Sequence, residues 1–600
     1  MSHTFAVWAP DAGTVDLVLV REATGPDDGH RTTRAMTRAD GGWWHLAVSA
    51  AGHGSDYLFS VDGGDPVPDP RSAWQPFGVH GPSRLYDPAR FRWSDDGWRG
   101  RDVRGALHYE LHLGTFTPEG TLDAAVGRLD HLVDVGVEVV ALMPVAASPG
   151  RWGWGYDGVH LFAVHDQYGG PEALQRFVDA AHARGLAVSL DCVYNHLGPS
   201  GNYTSVFGPY FTDRHETPWG QAVNLDGDGS SEVRRWICDN ALRWFRDFHV
   251  DALRLDAVHA LVDDSDHHVL AQLADETAAL ADGLRRPLSL VAESDLNDAV
   301  MVTPTAQGGL GMTAQWDDDA HHALHALLTG ERQGYYDDFG SGEVLRTVWR
   351  EAFWHAGRYS PFRGSEWGSP VPAGTSGHRF LAYASNHDQV GNRALGDRPS
   401  QTLSPGELAG SLALVLTAPF TPMLFMGEEW GATTPFRFFT DHEDPALAQS
   451  VRDGRRREFA EHGWDADAVP DPQDPGTREA SVLRWDERDE PVRAGLLAWT
   501  RDLVALRGRE PDLRDDDLGE VDVEVGPPDE SRDDGRPEWL VVHRGTWRVV
   551  VVLAAAARAD DATPVPLHGT GGVERHWGPT WTEGRTLRLQ GPGAALVRMY

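Results

Sequence analysis

The stretch DALRLDAVHA, residues 251–260, carries an arginine and an aspartate two positions apart, Arg254 and Asp256, within an apolar run. The leucines and alanines around them predict a buried strand that ends in a turn. Alternate residues of a strand point to the same face, so the two charged groups should lie side by side. Charged side chains are rarely buried unless they are paired or used in chemistry. The pair is therefore either a structural ion pair or a catalytic carboxylate oriented by a guanidinium, and this stretch alone does not choose.

Other polar side chains follow apolar segments elsewhere in the chain. They are Asp191, Asn195 and His196 after one segment, Glu293 after another, and His387 and Asp388 after a third. Three carboxylates brought together would repel one another without a substrate or a function. No cluster of His and Cys indicates zinc, and the phosphate-binding loop expected beside a magnesium site is missing from the sequence. Two carboxylates can cleave a glycosidic bond.

Asp256 and Glu293 follow consecutive predicted strands, and paired strands lie about 4.7–4.9 Å apart. This spacing suits the roughly 5–5.5 Å between the carboxyl groups of a retaining glycosidase and leaves little room for the water of an inverting one. One acid, the nucleophile, must stay ionised beside Arg254. The other must be protonated, which requires surroundings that raise its pKa.

The elements that position these residues alternate between short apolar strands and amphipathic helices from about residue 105 onward. Strands are predicted at ALHYELHL, VEVVALMP, LAVSLDCV, VDALRLD, PLSLVAE, MTAQW, RFLAYASN and PMLFMG, with helices between most of them. Eight such units predict a (β/α)8 TIM barrel, whose active site forms at the carboxyl ends of the strands. The polar residues at the strand ends would then converge on one rim.

Short alternating strands flank the barrel region on both sides and predict two β-sandwiches. The fold class is therefore a multidomain chain in which a catalytic TIM barrel lies between N-terminal and C-terminal β-sandwich domains. The predicted boundaries are 1–96 for an immunoglobulin-like sandwich of carbohydrate-binding type, 97–510 for the barrel with a short insertion at about 197–230, and 511–600 for the second sandwich. The acidic, proline-rich stretch at residues 526–538 is predicted to be a solvated loop.

The composition excludes several classes of function. A formal net charge of −37 argues against nucleic acid or an anionic membrane as a partner. The sequence contains no lysine, which excludes Schiff-base and Walker A chemistry. Its two cysteines, Cys192 and Cys238, cannot form a disulfide framework. The first residues lack the pattern of a secretion signal, so we expect a cytoplasmic enzyme. The apolar stretch at residues 408–427 contains Pro419 and Pro422 and is predicted to be a helix and a strand rather than a membrane span.

Four short blocks, DCVYNH, LRLDAVH, VAESD and SNHD, resemble in order the four motifs of the α-amylase family of glycoside hydrolases. The resemblance implies that Asp256 is the nucleophile, Glu293 the general acid/base and Asp388 the stabiliser of the transition state. It also implies further substrate-binding residues around the cleaved bond. His196, Arg254 and His387 would hold the sugar at the cleaved position, Tyr156 would stack beneath it with Asp157 nearby, and His259 would face the acceptor side.

Longer blocks, among them ALMPVAASPGRWGWGYDGV, QWDDDAHHALHALLTGERQGYY and FMGEEWGATTPFRFFTDH, resemble the malto-oligosyltrehalose trehalohydrolases within that family. This resemblance implies hydrolysis of the α-1,4 bond next to a terminal trehalose, in trehalose biosynthesis from maltodextrin. It implies a pathway partner, malto-oligosyltrehalose synthase, and neither a metal nor another cofactor. Polar groups are expected where the second ring of trehalose binds, because a site with buried polar groups rejects a ligand that leaves them unpaired. The candidates are Asp317, Asp318, His321, Gln389 and Asn392.

Two alternatives remain at this stage. A 1,4-α-glucan branching enzyme, or another transglycosylase of the same family, keeps all three acids and differs in the shape of its acceptor site. A non-catalytic glycan-binding protein would require the loss of at least one acid, and Asp256, Glu293 and Asp388 are all present. The histidines of AHHALHAL lie on a predicted helix without the spacing of a zinc motif, so we interpret them as core or substrate-rim residues.

Overall fold

A closed barrel of eight parallel strands forms the centre of the computed structural model, which describes residues 2–461, 469–556 and 561–600. Numbered in chain order, the barrel strands are strand 1 His108–Leu111, strand 2 Val139–Leu142, strand 3 Ala187–Cys192, strand 4 Ala252–Leu255, strand 5 Ser289–Ala292, strand 6 Ala314–Trp316, strand 7 Phe380–Tyr383 and strand 8 Thr421–Phe425. Strand 8 pairs with strand 1 and closes the ring. All eight predicted strands are confirmed, and their near-continuous apolar sequence reflects burial on both faces.

Helices surround the barrel and follow most of its strands. Their bounds are Leu113–Phe116, Leu122–Val126, Leu129–Val135, Gly170–His182, Thr204–Phe207, Ser230–Asp247, Val269–Leu284, Asp318–Thr329, Gly342–Glu351, His387–Gly391, Pro405–Leu416, Pro445–Glu461, Pro475–Ala480, Pro491–Arg509 and Pro511–Arg514. One unit departs from the regular pattern. Between strands 5 and 6, two 3₁₀ turns, Ala299–Met301 and Thr305–Gln307, take the place of a helix.

Three small antiparallel pairs extend the loops above the barrel. They join Ala146–Ala147 with His160–Val164, Phe211–Thr217 with Gly220–Val223, and Arg358–Ser360 with Ser365–Trp367. The second pair lies in the predicted insertion after strand 3. The third pair, residues 358–367, was not predicted, because its strands are three residues long and only partly buried. It is called the 358–367 hairpin below.

The N-terminal region is a β-sandwich of two antiparallel sheets, as predicted. One sheet contains Ser2–Trp8, Thr37–Arg38 and Trp43–Ser49, and the other contains Val15–Arg21, His30–Ala35, Asp56–Val61 and Ser83–Arg84. The alternation of buried and exposed residues places Phe5, Val7, Leu17 and Phe59 in the layer between the sheets.

The C-terminal region is a second sandwich. A five-stranded sheet contains Val521–Val525, Trp539–Arg544, Trp547–Val552, Gly571–Trp577 and Gly593–Met599, and a three-stranded sheet contains Thr563–Pro566, Thr580–Glu583 and Thr586–Leu589. Most of the acidic stretch 526–538 is exposed, but the prediction of a purely solvated loop is wrong at Arg536. That side chain is buried and pairs with Glu407 of the barrel, with 3.1 Å between Nη1 and Oε1.

This second sandwich packs closely on the helix Pro405–Leu416, which lies between strands 7 and 8. Two glycines of the helix permit the contact. A Cβ atom at Gly406 would lie 1.9 Å from the carbonyl oxygen of Pro592, and one at Gly410 would lie 2.7 Å from Val551. The apolar stretch at residues 408–427 is thus a buried helix followed by strand 8, as predicted. Among the described residues, no helix is both long enough and apolar enough to cross a lipid bilayer.

Candidate active site

Asp256 and Glu293 lie next to each other at the carboxyl ends of strands 4 and 5. The parallel register pairs Leu255 with Ala292, so each acid is the first residue beyond this pair. The backbone N–H of Glu293 donates to the carbonyl oxygen of Leu255 at 3.0 Å, which fixes the relative height of the two side chains. Glu293 Oε2 also accepts a hydrogen bond of 2.8 Å from the N–H of Ala257, immediately after the first acid.

One guanidinium connects the acids. Arg254 Nη1 lies 2.8 Å from Asp256 Oδ1 and 2.6 Å from Asp191 Oδ2, and Arg254 Nη2 lies 2.7 Å from Glu293 Oε2. The last contact is an ion pair whose angles do not make it a hydrogen bond. The guanidinium carbon lies 4.5 Å from the ring centre of Trp316. A charge so deeply buried is stable only with such partners. Arg254 and Asp256 therefore form an ion pair, and the same pair holds the carboxylate of Asp256 at the cavity.

The third acid, Asp388, is positioned through His387. His387 Nδ1 donates to Glu110 Oε1 at 2.6 Å, and its Nε2 lies 3.3 Å from Asp388 Oδ2. The ring also stacks on Tyr156, whose hydroxyl donates to Asp191 Oδ2 at 2.7 Å. Burial alone would lower the pKa of His387, but the two carboxylates raise it well above its usual value. The imidazolium therefore stays charged and keeps Asp388 ionised.

The pKa values of the three acids are driven apart. Burial raises the pKa of Asp256 to about 6 and that of Glu293 to about 7, against the opposing effect of Arg254. Burial would raise that of Asp388 too, but His387 lowers it to about 2. Near neutral pH, Glu293 is therefore the acid that retains a proton most readily. A nucleophile that is ionised and an acid that is protonated coexist when their pKa values differ in this order.

The rate should depend on pH with two limbs. Asp256 must be ionised, so kcat/KM should fall about tenfold per unit below about pH 6. Glu293 must be protonated, so the rate should fall similarly above about pH 7. The measurement is a pH profile of kcat/KM at constant ionic strength. An activated aryl glycoside, which needs little acid assistance, serves as the control and should lack the alkaline limb. The same alkaline limb on both substrates would contradict this assignment.

A cavity of about 960 Å³ opens above these acids. The predicted site residues that line it are Tyr156, Asp157, His196, Asp256, His259, Glu293, Asp388 and Asn392. Arg254 and His387 lie beneath its floor and hold the acids. Sequence reasoning also missed parts of the wall. Trp219, at the tip of the insertion hairpin, stacks on His196 with 5.0 Å between ring centres. Phe438 and Thr440 line the cavity as well.

The remaining predicted residues do not line this cavity. Asp317 is the buried N-cap of the helix Asp318–Thr329, where it accepts from the N–H of Ala320. His321 is buried in the same helix and bonds the carbonyl oxygen of Ala384 and the hydroxyl of Tyr336. Both are structural in this geometry. Gln389 Nε2 donates to Asp318 Oδ1 at 3.3 Å.

The acids of the cavity do not form a metal-ligating set. A group with suitable spacing, found within the described ranges, is His215, Asp226 and Asp264, of which the first two lie in the insertion. Asp226 already accepts hydrogen bonds there from His215, Arg214 and the N–H of Asp264. These donors satisfy the carboxylate without a cation.

Comparisons with known proteins agree with this geometry. Residues 85–208 match the family model for the alpha amylase catalytic domain, and residues 1–78 match carbohydrate-binding module 48, the isoamylase N-terminal domain. A crystal structure of a Salmonella typhimurium protein assigned to the alpha amylases superposes with a TM-score of 0.87 at 36% identity, covering 100% of this chain and 98% of the other. The malto-oligosyltrehalose trehalohydrolase of Arthrobacter ramosus is 51% identical, over 100% of both chains. The chain belongs to the malto-oligosyltrehalose trehalohydrolase family.

Membership of the trehalohydrolase family makes this protein a glycoside hydrolase. The branching-enzyme alternative has much weaker support, since the 1,4-alpha-glucan branching enzyme of Vibrio parahaemolyticus is 31% identical over 52% of this chain.

The site residues that sequence reasoning overlooked could have been found in part. Glu110 lies one residue before the end of strand 1, where a carboxylate in an apolar run is the same signal that identified the other acids. Trp219 lies in a polar insertion and carries no such signal.

Proposed function

We propose that the protein hydrolyses the α-1,4-glucosidic bond next to the terminal trehalose of a malto-oligosyltrehalose and releases trehalose, with retention of configuration. The observation that carries this proposal is the match to a trehalohydrolase over the whole chain, together with three acids that converge on one cavity. The substrate class comes from the relatives. The mechanism comes from the adjacency of Asp256 and Glu293 at neighbouring strand ends.

In the first step, an Asp256 oxygen attacks the anomeric carbon while Glu293 gives its proton to the departing glycosidic oxygen. The bond to trehalose breaks, and a glycosyl ester forms on Asp256. In the second step, Glu293, now ionised, takes a proton from water. The hydroxide oxygen bonds to the same carbon, which frees Asp256 and the shortened maltodextrin. Asp388 provides a fixed charge near the positive charge that develops on the sugar ring. Arg254 provides one near the carboxylate of Asp256.

The products of a defined substrate test the substrate class. Maltotriosyl-trehalose should give trehalose and maltotriose as main products, because the leaving group is a complete trehalose unit. Maltopentaose, of the same length but with a reducing end, should be cut much more slowly, since trehalose has a different bend and places different hydroxyls in the acceptor site. Product analysis by chromatography over a time course makes the comparison.

Each alternative has its own outcome in this assay. New α-1,6 branches would indicate a branching enzyme, random-length maltodextrins would indicate a general amylase, and binding without any product would indicate a glycan-binding protein. Nuclear magnetic resonance of the earliest maltotriose product tests retention separately, because it reads the α configuration before mutarotation. An initial β product would contradict the retaining mechanism and leave the substrate assignment intact.

We further propose that the protein works in the cytoplasm, downstream of a synthase that converts the reducing end of a maltodextrin to trehalose. Two thiols support a reducing compartment, since Cys192 and Cys238 are both free and buried. The chemistry of the proposed substrate defines the reaction that must supply it. That preceding reaction must create a non-reducing terminal disaccharide on an α-1,4 glucan.

A further inference from the structure

Glu110 is a buried carboxylate that does not line the cavity and takes no direct part in the proposed reaction. Both of its side-chain oxygens bond to His387. Oε1 lies 2.6 Å from Nδ1 of the ring, and Oε2 accepts from the backbone N–H at 2.9 Å. A buried charge persists only when it is paired and hydrogen-bonded. Any effect of Glu110 on the reaction must therefore pass through His387.

The position of Glu110 joins three neighbouring strand ends of the barrel. The residue lies on strand 1, and its carbonyl oxygen accepts from the N–H of Met426, just after strand 8. Its side chain holds the first residue of the helix His387–Gly391, which follows strand 7. The second residue of that helix is Asp388. The place of this acid at the cavity is thus fixed by a residue of another strand.

The hydrogen bonds around the His387 ring define where its protons are. The hydroxyl of Tyr156 donates to Asp191 Oδ2 at 2.7 Å, so its oxygen can only accept from His387 Nε2, which is 2.8 Å away. On the other side of the ring, Nδ1 faces the carboxylate of Glu110, which is an acceptor. Both ring nitrogens must then carry a proton, so the imidazolium is the form that fits this site.

Burial by itself would place this proton on a carboxylate instead. His108 and His112 lie on the same barrel strand and just after it, and their Nε2 atoms face carbonyl oxygens. Burial lowers the pKa of His108 to about 4 and that of His112 to about 3. Burial raises the pKa of Asp256 to about 6, even with Arg254 beside it. A carboxylate therefore holds a proton more tightly than an imidazole in this interior, which reverses their order in water.

A negative charge next to the ring restores the order found in water. Two carboxylates contact the ring nitrogens of His387, Glu110 at 2.6 Å and Asp388 at 3.3 Å. The charged and titratable groups behind them are Tyr156, Asp191, Arg254 and His112. Arg254 lies 2.6 Å from Asp191 and balances its charge. Within the described ranges, Glu110 is therefore the group that adds a negative charge at the ring besides Asp388 itself.

We propose that Glu110 is a positioning residue that keeps the proton shared by His387 and Asp388 on the imidazole, so that Asp388 enters the reaction as a carboxylate. The inference rests on the proposed function, in which a negative Asp388 faces the positive charge that develops on the sugar ring. Without Glu110 the pair becomes neutral. Asp388 then carries the proton, donates it to Nε2 of His387 and offers no charge to the transition state.

The first test is the pH profile of Glu110→Gln, which keeps the size of the side chain and removes its charge. At about pH 6, kcat/KM on maltotriosyl-trehalose should fall about hundredfold, the scale of one lost preorganised interaction, and mainly through kcat. The loss should shrink as the pH rises, because the neutral pair then releases its proton and Asp388 becomes negative. The acidic limb should therefore lie at least about one pH unit above that of the wild type.

Two further variants separate charge from packing. Glu110→Asp keeps the charge on a shorter side chain, so it should retain the acidic limb of the wild type at a reduced rate. Tyr109→Phe is the matched control, because its hydroxyl bonds to Glu429 and the N–H of Gly427, away from His387. It should leave the shape of the pH profile unchanged. An equal loss at every pH for Glu110→Gln would show a merely structural carboxylate and overturn the proposal.

Nuclear magnetic resonance of protein labelled with ¹⁵N-histidine locates the proton without any substrate. The signals of His387 are assigned by their absence in His387→Asn. The wild type should carry protons on both ring nitrogens between about pH 6 and pH 9, whereas Glu110→Gln should lack the one on Nε2. An intact imidazolium in Glu110→Gln would refute the proposal. Because the spectra do not depend on turnover, a wild type that releases no trehalose would overturn the proposed function separately.

Discussion

Replacing Asp256 with alanine should lower the rate on maltotriosyl-trehalose at least about a thousandfold, or ~4 kcal/mol of barrier. The side chain is 2.8 Å from Arg254 and lines the cavity. The substitution leaves strand 4 unchanged, so the fold should persist. Substrate affinity measured by calorimetry should remain within about tenfold.

Chemical rescue separates a lost nucleophile from a damaged site. With Asp256→Ala and an aryl α-glycoside, added azide should enter the space of the missing carboxylate, displace the aryl oxide and yield a β-glycosyl azide. Its inverted configuration reports attack from the side of residue 256. Asp256→Asn is the matched variant, because its amide fills that space and should not be rescued. A residual rate above a thousandth of wild type would refute the role of Asp256 as nucleophile.

Replacing Glu293 with glutamine should produce losses that depend on the leaving group. Trehalose departs poorly without a proton, so the natural substrate should lose about 10²–10⁴-fold in rate. An aryl glycoside with a good leaving group should react nearly normally in its first step. The second step also needs Glu293, as a base for water, so the glycosyl ester should accumulate on Asp256.

Stopped-flow detection of the aryl oxide makes this result visible as a burst followed by a slow phase, and mass spectrometry of the quenched protein should show the added glycosyl group. Glu428→Gln is the matched control: burial also raises the pKa of Glu428 to about 8, but its Oε2 accepts from the N–H of Phe425 and it does not line the cavity. That variant should show no burst. Equal losses for Glu293→Gln on both substrates would exclude the acid role.

The parts of the site that could be predicted are those fixed by strand periodicity. A carboxylate at the end of an apolar strand must reach the rim of a parallel barrel, so Asp256, Glu293 and Asp388 could be placed together from the sequence. Their roles stay predictions until tested. The domain boundaries also stay predictions, since an element can begin several residues from the point where the composition changes.

The parts that could not be predicted depend on helix rotation and loop shape. Asp317 and Asp318 are adjacent in sequence, yet the first caps a helix and the second accepts hydrogen bonds from Tyr383 and Gln389. Sequence distance does not determine which of two neighbours at a helix start serves as the cap. The 358–367 hairpin is similarly hidden, because its strands are held by polar contacts, from the hydroxyl of Ser360 to Asp338 and from the indole N–H of Trp367 to the carbonyl oxygen of Asp295, rather than by an apolar pattern.

The two glycines of the helix Pro405–Leu416 that contact the second sandwich have a consequence for synthesis on the ribosome. Gly406 packs against the backbone of Pro592, and Gly410 packs against the side chain of Val551. Glu407 forms an ion pair with Arg536. All three partners emerge after strand 8 has been translated, so the outer face of a finished barrel stays uncovered while more than a hundred residues follow the helix. Growing chains should depend on protection of this face, for domains that form early expose apolar surface until their partners arrive.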